Sequence, residues 1–281
     1  MKDINVGEMT MDGLAMQQVS LRFERSEDYR FKEAFKTLRT NIEFSGADLK
    51  TICVTSCTPN EGKSSVAMEL AKSFAEAGKK TLLIDADMRK SVLVGRYKTG
   101  AVRLGLTHVL IGREVLADVI CSTNIPKLYV VFAGPVPPNP SELLGSDNFK
   151  AMMDKVRQLF DYVIVDTPPL GSVIDAAVVA KKCDGTILIV ENKTVSYRFA
   201  QNVKNQLDKA GSRILGVVLN KVDMSSKSYG HYGNYYGKYY GKYYGQYGNE
   251  EKIEKPEKPT QGVRTIVNPV KAGNGSGVKK K

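Results

Sequence analysis

Between Thr55 and Ser65 the chain reads TSCTPNEGKSS. It is a turn-prone loop ending in Gly-Lys-Ser, set between an apolar run and a helical pattern. In that setting backbone N–H groups and a helix N-terminus together cradle phosphates. On this reading Thr58, Pro59, Asn60, Glu61, Gly62, Lys63, Ser64 and Ser65 wrap the phosphates of ATP. Lys63 reaches the β- and γ-phosphates, and Ser64 offers its hydroxyl to Mg2+. The usual pattern has Gly six residues before the lysine; here Cys57 stands there. Asn60 takes another position where Gly is common. Asn enters left-handed backbone more readily than most residues, so the turn survives.

Two apolar runs end in acid. LLIDADMR carries Asp85 and Asp87, and VIVDTPP carries Asp166. Carboxylates at the C-terminal ends of buried strands stand where open α/β sheets bind ligands. Three of them beside a triphosphate would repel it without a cation, so Mg2+ is expected with ATP.

Positioning these groups requires a sheet. The runs TICVTS (51–56), TLLIDAD (81–87), LYVVFAG (128–134), DYVIVDTPP (161–169), GTILIVEN (185–192) and ILGVVLN (214–220) are rich in Val, Ile and Leu without strict alternation. Strands buried on both faces have this composition. Helical patterns at 62–78, 146–160, 173–182 and 195–210 fall between them. Strand–helix alternation predicts an α/β fold: a doubly wound, mostly parallel sheet with helices on both faces. Ahead of it, SEDYRFKEAFKTLRTNIEF reads as a charged amphipathic helix with Ser26 and Asp28 as candidate caps. Residues 88–127 read as small helices over one edge of the sheet. GPVPPNPSELL (134–144) is a proline loop that starts a helix at Ser141.

Composition narrows the chemistry. There are two histidines, His108 and His231, and no tryptophan, which leaves little room for histidine metal sites or a Ser-His-Asp triad. His108 reads as a packing or surface residue. Cys53, Cys57, Cys121 and Cys183 fit neither a zinc spacing nor a disulfide framework, so reduced thiols in a cytosolic protein are expected. No apolar run approaches the roughly 18–20 residues of a membrane span. The formal net charge is +11, but part of it lies in the tail ending VKKK. A basic tail kept in solution by its charge, with no nucleic-acid partner, accounts for it. The domain reading is an N-terminal extension (1–25), a nucleotide-binding domain (26–223) and a disordered tail (224–281).

The motifs TSCTPNEGKSS, LLIDADMRK, GPVPPNPSELLGS and FDYVIVDTPPLGSVIDA resemble those of the bacterial tyrosine kinases that regulate capsule and exopolysaccharide synthesis. The resemblance runs over residues 26–223. It implies a P-loop NTPase fold of the deviant Walker A type. Asp85 is then the metal-associated catalytic carboxylate and candidate base, Asp87 a second catalytic carboxylate, Asp166 a Mg2+ group acting through water, and Asn220 an adenine contact. The positioning ATPases of the ParA/MinD group are the alternative. They carry a lysine where Thr58 stands, and they lack a tyrosine cluster.

That cluster, YGHYGNYYGKYYGKYYGQYG, holds nine of the chain's fourteen tyrosines, too concentrated for a packed core and too glycine-rich for helix or strand. Beside the kinase resemblance, Tyr229, Tyr232, Tyr235, Tyr236, Tyr239, Tyr240, Tyr243, Tyr244 and Tyr247 become acceptors for autophosphorylation in trans. A non-enzymatic reading treats the cluster as a self-associating module, which leaves the acidic strand ends unexplained. The resemblance also implies ring-like assembly through Glu33, Lys36 and Arg39. Lys36 stands there in place of an arginine and lacks its planar fork. Further implied partners are a membrane adaptor whose cytoplasmic tail activates the kinase, placing it at the inner face of the membrane, and a tyrosine phosphatase.

Overall fold

The computed structural model describes residues 16–23, 29–222 and 262–266. Ser26, Asp28 and the tyrosine cluster at 229–247 lie outside the described residues.

The six apolar runs form six neighbouring strands: β2 (Thr51–Ser56), β3 (Thr81–Asp85), β5 (Leu128–Val131), β6 (Tyr162–Asp166), β7 (Gly185–Glu191) and β8 (Ile214–Val222). β1 (Gln17–Val19) and β4 (Cys121–Thr123) extend one edge, and β9 (Gly262–Ile266) the other. Their order is β1-β4-β5-β3-β6-β2-β7-β8-β9. Every neighbouring pair is parallel except β4–β5 and β8–β9. The chain moves outward from β2 to β3, returns to insert β6, then continues on the other side with β7. This reversal puts the topological switch point at the C-terminal end of β2, the place where doubly wound sheets bind ligands.

Successive strand residues feed two cores. Ile52 and Val54 pack with Leu83, Ile164 and Ile189 on one face, while Cys53 packs with Leu82, Ile84, Val163 and Val165 on the other. Helices α1 (Tyr29–Phe44) and α2 (Lys63–Glu76) cover the first face through Phe35, Leu38, Leu70 and Phe74. Helices α7 (Asp147–Leu159), α8 (Asp175–Ala180) and α9 (Tyr197–Lys209) cover the second through Phe149, Val156, Val179 and Leu207. Each such fully buried side chain contributes about 1.5–3 kcal/mol. Ser146 and Ser196 cap α7 and α9, accepting from the N–H groups of Phe149 and Phe199.

Residues 88–127 form the expected small helices, α3 (Leu93–Arg96), α4 (Leu106–Leu110) and α5 (Leu116–Val119), followed by a sixth, α6 (Pro140–Gly145). His108 is structural: its Nδ1 accepts from the Gly105 N–H at 3.1 Å and closes the first turn of α4. The four cysteines are free thiols. No described helix is long and apolar enough to cross a membrane.

Three strands depart from expectation. β1 and β4 have three residues each, too few for a periodicity to register. β9 lies in the segment expected to be without structure. It pairs antiparallel with the outer edge of β8, Val217 opposite Ile266 and Leu219 opposite Arg264. A strand edge offers unpaired N–H and C=O groups, and the β-branched residues of Gly-Val-Arg-Thr-Ile suit that position.

Candidate active site

The phosphate loop is built largely by one buried acid. The Glu61 carboxylate, shielded from solvent, accepts from the Cys57 N–H at 2.8 Å and the Thr58 hydroxyl at 3.1 Å. A side chain thus closes the turn from within. Asn60 adopts φ 68° and Gly62 φ 90°, so the left-handed conformation expected of Asn60 is present. The Asn220 amide donates to the Glu61 carbonyl at 2.8 Å, and Lys221 Nζ donates to the Asn60 carbonyl at 2.8 Å while pairing with Glu191 at 2.9 Å. Asn220, expected to face adenine, is engaged here by the loop's own backbone. Cys57 is fully buried, and burial, with the Glu61 charge adding to it, pushes its thiol up to about 12. It is a packing residue with no thiolate to offer.

A Cβ on Gly62 would lie 2.2 Å from the Asn220 amide nitrogen. Gly62→Ala therefore adds a collision to a backbone conformation that L-residues avoid. The expected result is a loss of nucleotide affinity of about tenfold or more, a cost on the order of 1–3 kcal/mol. Titration with a fluorescent ATP analogue measures it.

Strand register brings the acids together. In the parallel ladders Asp85 stands opposite Asp166, and Asp166 opposite Val54, just before the loop. Lys63 Nζ lies 2.9 Å from Asp87, 3.7 Å from Asp166 and 3.2 Å from the Ser64 hydroxyl. Burial by itself would lower the lysine, but Asp166 and Asp87 outweigh it and hold Lys63 above its ordinary value, firmly charged. Asp85 accepts from the Asp87 N–H at 3.2 Å and the Ser91 hydroxyl at 2.5 Å. Burial raises both Asp85 and Asp166, and the Asp166 charge raises Asp85 further. Two carboxylates driven toward protonation in a dry site are what a cation would relieve.

The residues fit Mg2+. Asp166 Oδ1 is buried without a hydrogen-bond partner, next to the Ser64 hydroxyl. Among the described residues no three His, Cys, Asp or Glu side chains form a closed cage. Mg2+ asks for no such cage, because it binds through one or two carboxylates with water and substrate phosphate completing the octahedron.

Several contacts were not readable from motifs. Arg89 reaches Asp175, at the start of α8, with Nε at 2.7 Å and Nη2 at 3.0 Å, and its Nη2 also meets the Ser141 hydroxyl at 3.0 Å. Burial would raise Asp175, yet the hydrogen bonds from Arg89 and Ser141 hold it below the usual carboxylate range. Arg96 donates to the Ser65 hydroxyl. The available signal was the presence of Arg89, Ser141 and Asp175 in three separate motifs.

The candidate assembly residues lie elsewhere. Glu33 and Lys36 pair with each other at 2.7 Å on the exposed surface of α1. Arg39 turns inward and donates to the Ser73 carbonyl of α2 at 2.7 Å.

Residues 49–216 match the family described as AAA domain. The chain is 47% identical over 204 residues to a tyrosine-protein kinase, CpsD, of Streptococcus agalactiae, spanning 73% of this chain and 89% of that protein. Its fold is similar to the crystal structure of the chimerical protein CapA2B2, with TM-score 0.67 and 33% identity over 75% of this chain and 95% of that one. The septum site-determining protein MinD of Pyrococcus horikoshii shares the fold at 24% identity and TM-score 0.54, covering 63% of this chain and 72% of that one. At 47% identity over 73% of its length and 89% of that kinase, the chain belongs to the bacterial tyrosine kinases.

Proposed function

We propose that the chain is an ATP-dependent protein tyrosine kinase that modifies the tyrosine cluster at 229–247 in trans and regulates capsular or exopolysaccharide synthesis. The observation that carries this reading is the exit of β8. Because β2, β7 and β8 run parallel, β8 ends on the edge that holds Lys63, Asp85 and Asp166, and the tyrosines follow it in sequence.

In the reaction, Lys63 leaves Asp87 to meet the β- and γ-phosphate oxygens, and the loop amides orient the triphosphate. A tyrosine oxygen bonds to the γ-phosphorus as the bond to the β–γ bridging oxygen breaks, and ADP departs. Free tyrosine has a pKa near 10, so its hydroxyl proton needs an acceptor, and the Asp85 carboxylate takes it. Ser64, Asp85 and Asp166 would hold Mg2+, which when bound would supply positive charge to the phosphate oxygens.

The family likeness extends the proposal. The kinase acts as residues 26–223 with the tail 224–281 as substrate. A membrane adaptor's cytoplasmic tail activates it at the inner membrane face, it assembles through α1, and a tyrosine phosphatase resets it.

Mass-spectrometric mapping after incubation with Mg-ATP, with and without an adaptor tail peptide, tests the reading. Phosphate on the cluster, absent in Lys63→Met, is expected. ATP turnover with unmodified tyrosines under both conditions would mean a positioning ATPase instead.

A further inference from the structure

Asp85, Asp87, Arg89 and Ser91 lie on one turn after β3. That turn is bonded internally: the Asp87 N–H donates to Asp85, the Lys90 N–H to Asp87 at 3.0 Å, and the Ser91 hydroxyl to Asp85. It is tied to the rest of the molecule by two charged anchors. One is the Asp87–Lys63 pair, and the other is Arg89 on Asp175 and Ser141. The first anchor opens in catalysis, because Lys63 cannot hold Asp87 and the γ-phosphate with the same geometry. The second touches no group that the reaction consumes.

We infer that Arg89 is a positioning residue: with Asp175 and Ser141 it holds the Asp85–Asp87 turn in place while Lys63 is away on the phosphates. This rests on the kinase reading for Lys63 and goes beyond it for Arg89. The chemistry of the anchor suits the task. The Asp175 side chain is wholly buried while that of Arg89 is 40% exposed, so the carboxylate depends on the guanidinium for its countercharge. The two parallel N–H···O bonds need a planar fork, which lysine lacks. Ser141 donates to the same Asp175 oxygen that Arg89 Nη2 reaches. This brings the proline loop at α6 and the start of α8 onto one point, and a turn fixed to two helices cannot drift.

The test uses full-length protein and reads ATP turnover as well as tyrosine modification. Arg89→Ala is expected to lower kcat about 10²-fold while KM for ATP stays within about threefold, the signature of misplaced reacting groups. Arg89→Lys should recover only a small part of kcat. In Arg89→Ala/Asp175→Asn the two losses should not add, since both act through one contact. Thermal melts report whether each variant is folded. If Arg89→Ala does not fold, Ser141→Ala decides, with kcat expected to fall about threefold to tenfold. A folded Arg89→Ala with kcat within twofold of wild type, additive losses in the double variant, or Ser141→Ala with unchanged kcat would overturn the inference. ATP turnover without tyrosine phosphate in the wild type would remove the kinase reading and still leave the Arg89 effect on turnover measurable.

Discussion

Lys63→Met lowers ATP turnover and tyrosine phosphorylation by about 10²–10³-fold or more, the loss associated with removing one preorganised stabilising group. Methionine keeps an unbranched apolar stem of nearly the same length, so the change chiefly removes charge. The structure adds a second effect. Lys63 is the cation beside both Asp87 and Asp166, and Asp166 already has one oxygen without a hydrogen bond. Without the lysine, buried carboxylates face each other uncompensated, and the ligand-free protein melts earlier at neutral pH than at pH 5, where protonation relieves them. Turnover within tenfold of wild type, in protein shown to be folded, would remove Lys63 from the mechanism.

Asp85→Asn separates activity from stability. Loss of a proton acceptor lowers kcat about 10²–10⁴-fold. The ligand-free fold responds in the opposite direction. Burial, then the Asp166 charge, pushes Asp85 up to about 8 from 3.8. A carboxyl with a raised folded value contributes stability that is complete below the unfolded value and is lost as pH rises through the folded one. Between about pH 4 and pH 8 the wild type therefore loses stability on this account, and the amide variant does not. Nucleotide-free melting curves at pH 5, 7 and 9 should show Asp85→Asn gaining on wild type by a widening margin of a few degrees. A margin that is constant or shrinks with pH would show that Asp85 is ionised in the resting site.

The sequence carried the parts of this arrangement that local chemistry determines. Val, Ile and Leu runs announce strands buried on both faces, and two of them end in the acids that register places side by side. Gly-Lys-Ser between strand and helix announces the phosphate loop, and Asn60 takes the left-handed turn that its short amide permits. What stayed hidden depends on distant segments meeting. Arg89, Ser141 and Asp175 converge only because β3 ends, and α6 and α8 begin, at one edge. Glu61 reads as a loop residue until its carboxylate is seen folded beneath Cys57 and Thr58. Arg39 looks outward in a helical pattern of charges, yet the neighbouring α2 offers it a carbonyl. The edge strand β9 is invisible in a polar tail because its partner is the free side of β8.

The end of β8 has a mechanical meaning. Its last residues hold the loop by two carbonyls, Asn220 on Glu61 and Lys221 on Asn60, and the chain continues from Val222 toward the tyrosines. A pull transmitted into Val222 from that side meets those two bonds at the strand's very end. They belong to the peptides that shape the left-handed turn, so a load entering β8 at Val222 is carried into the phosphate loop.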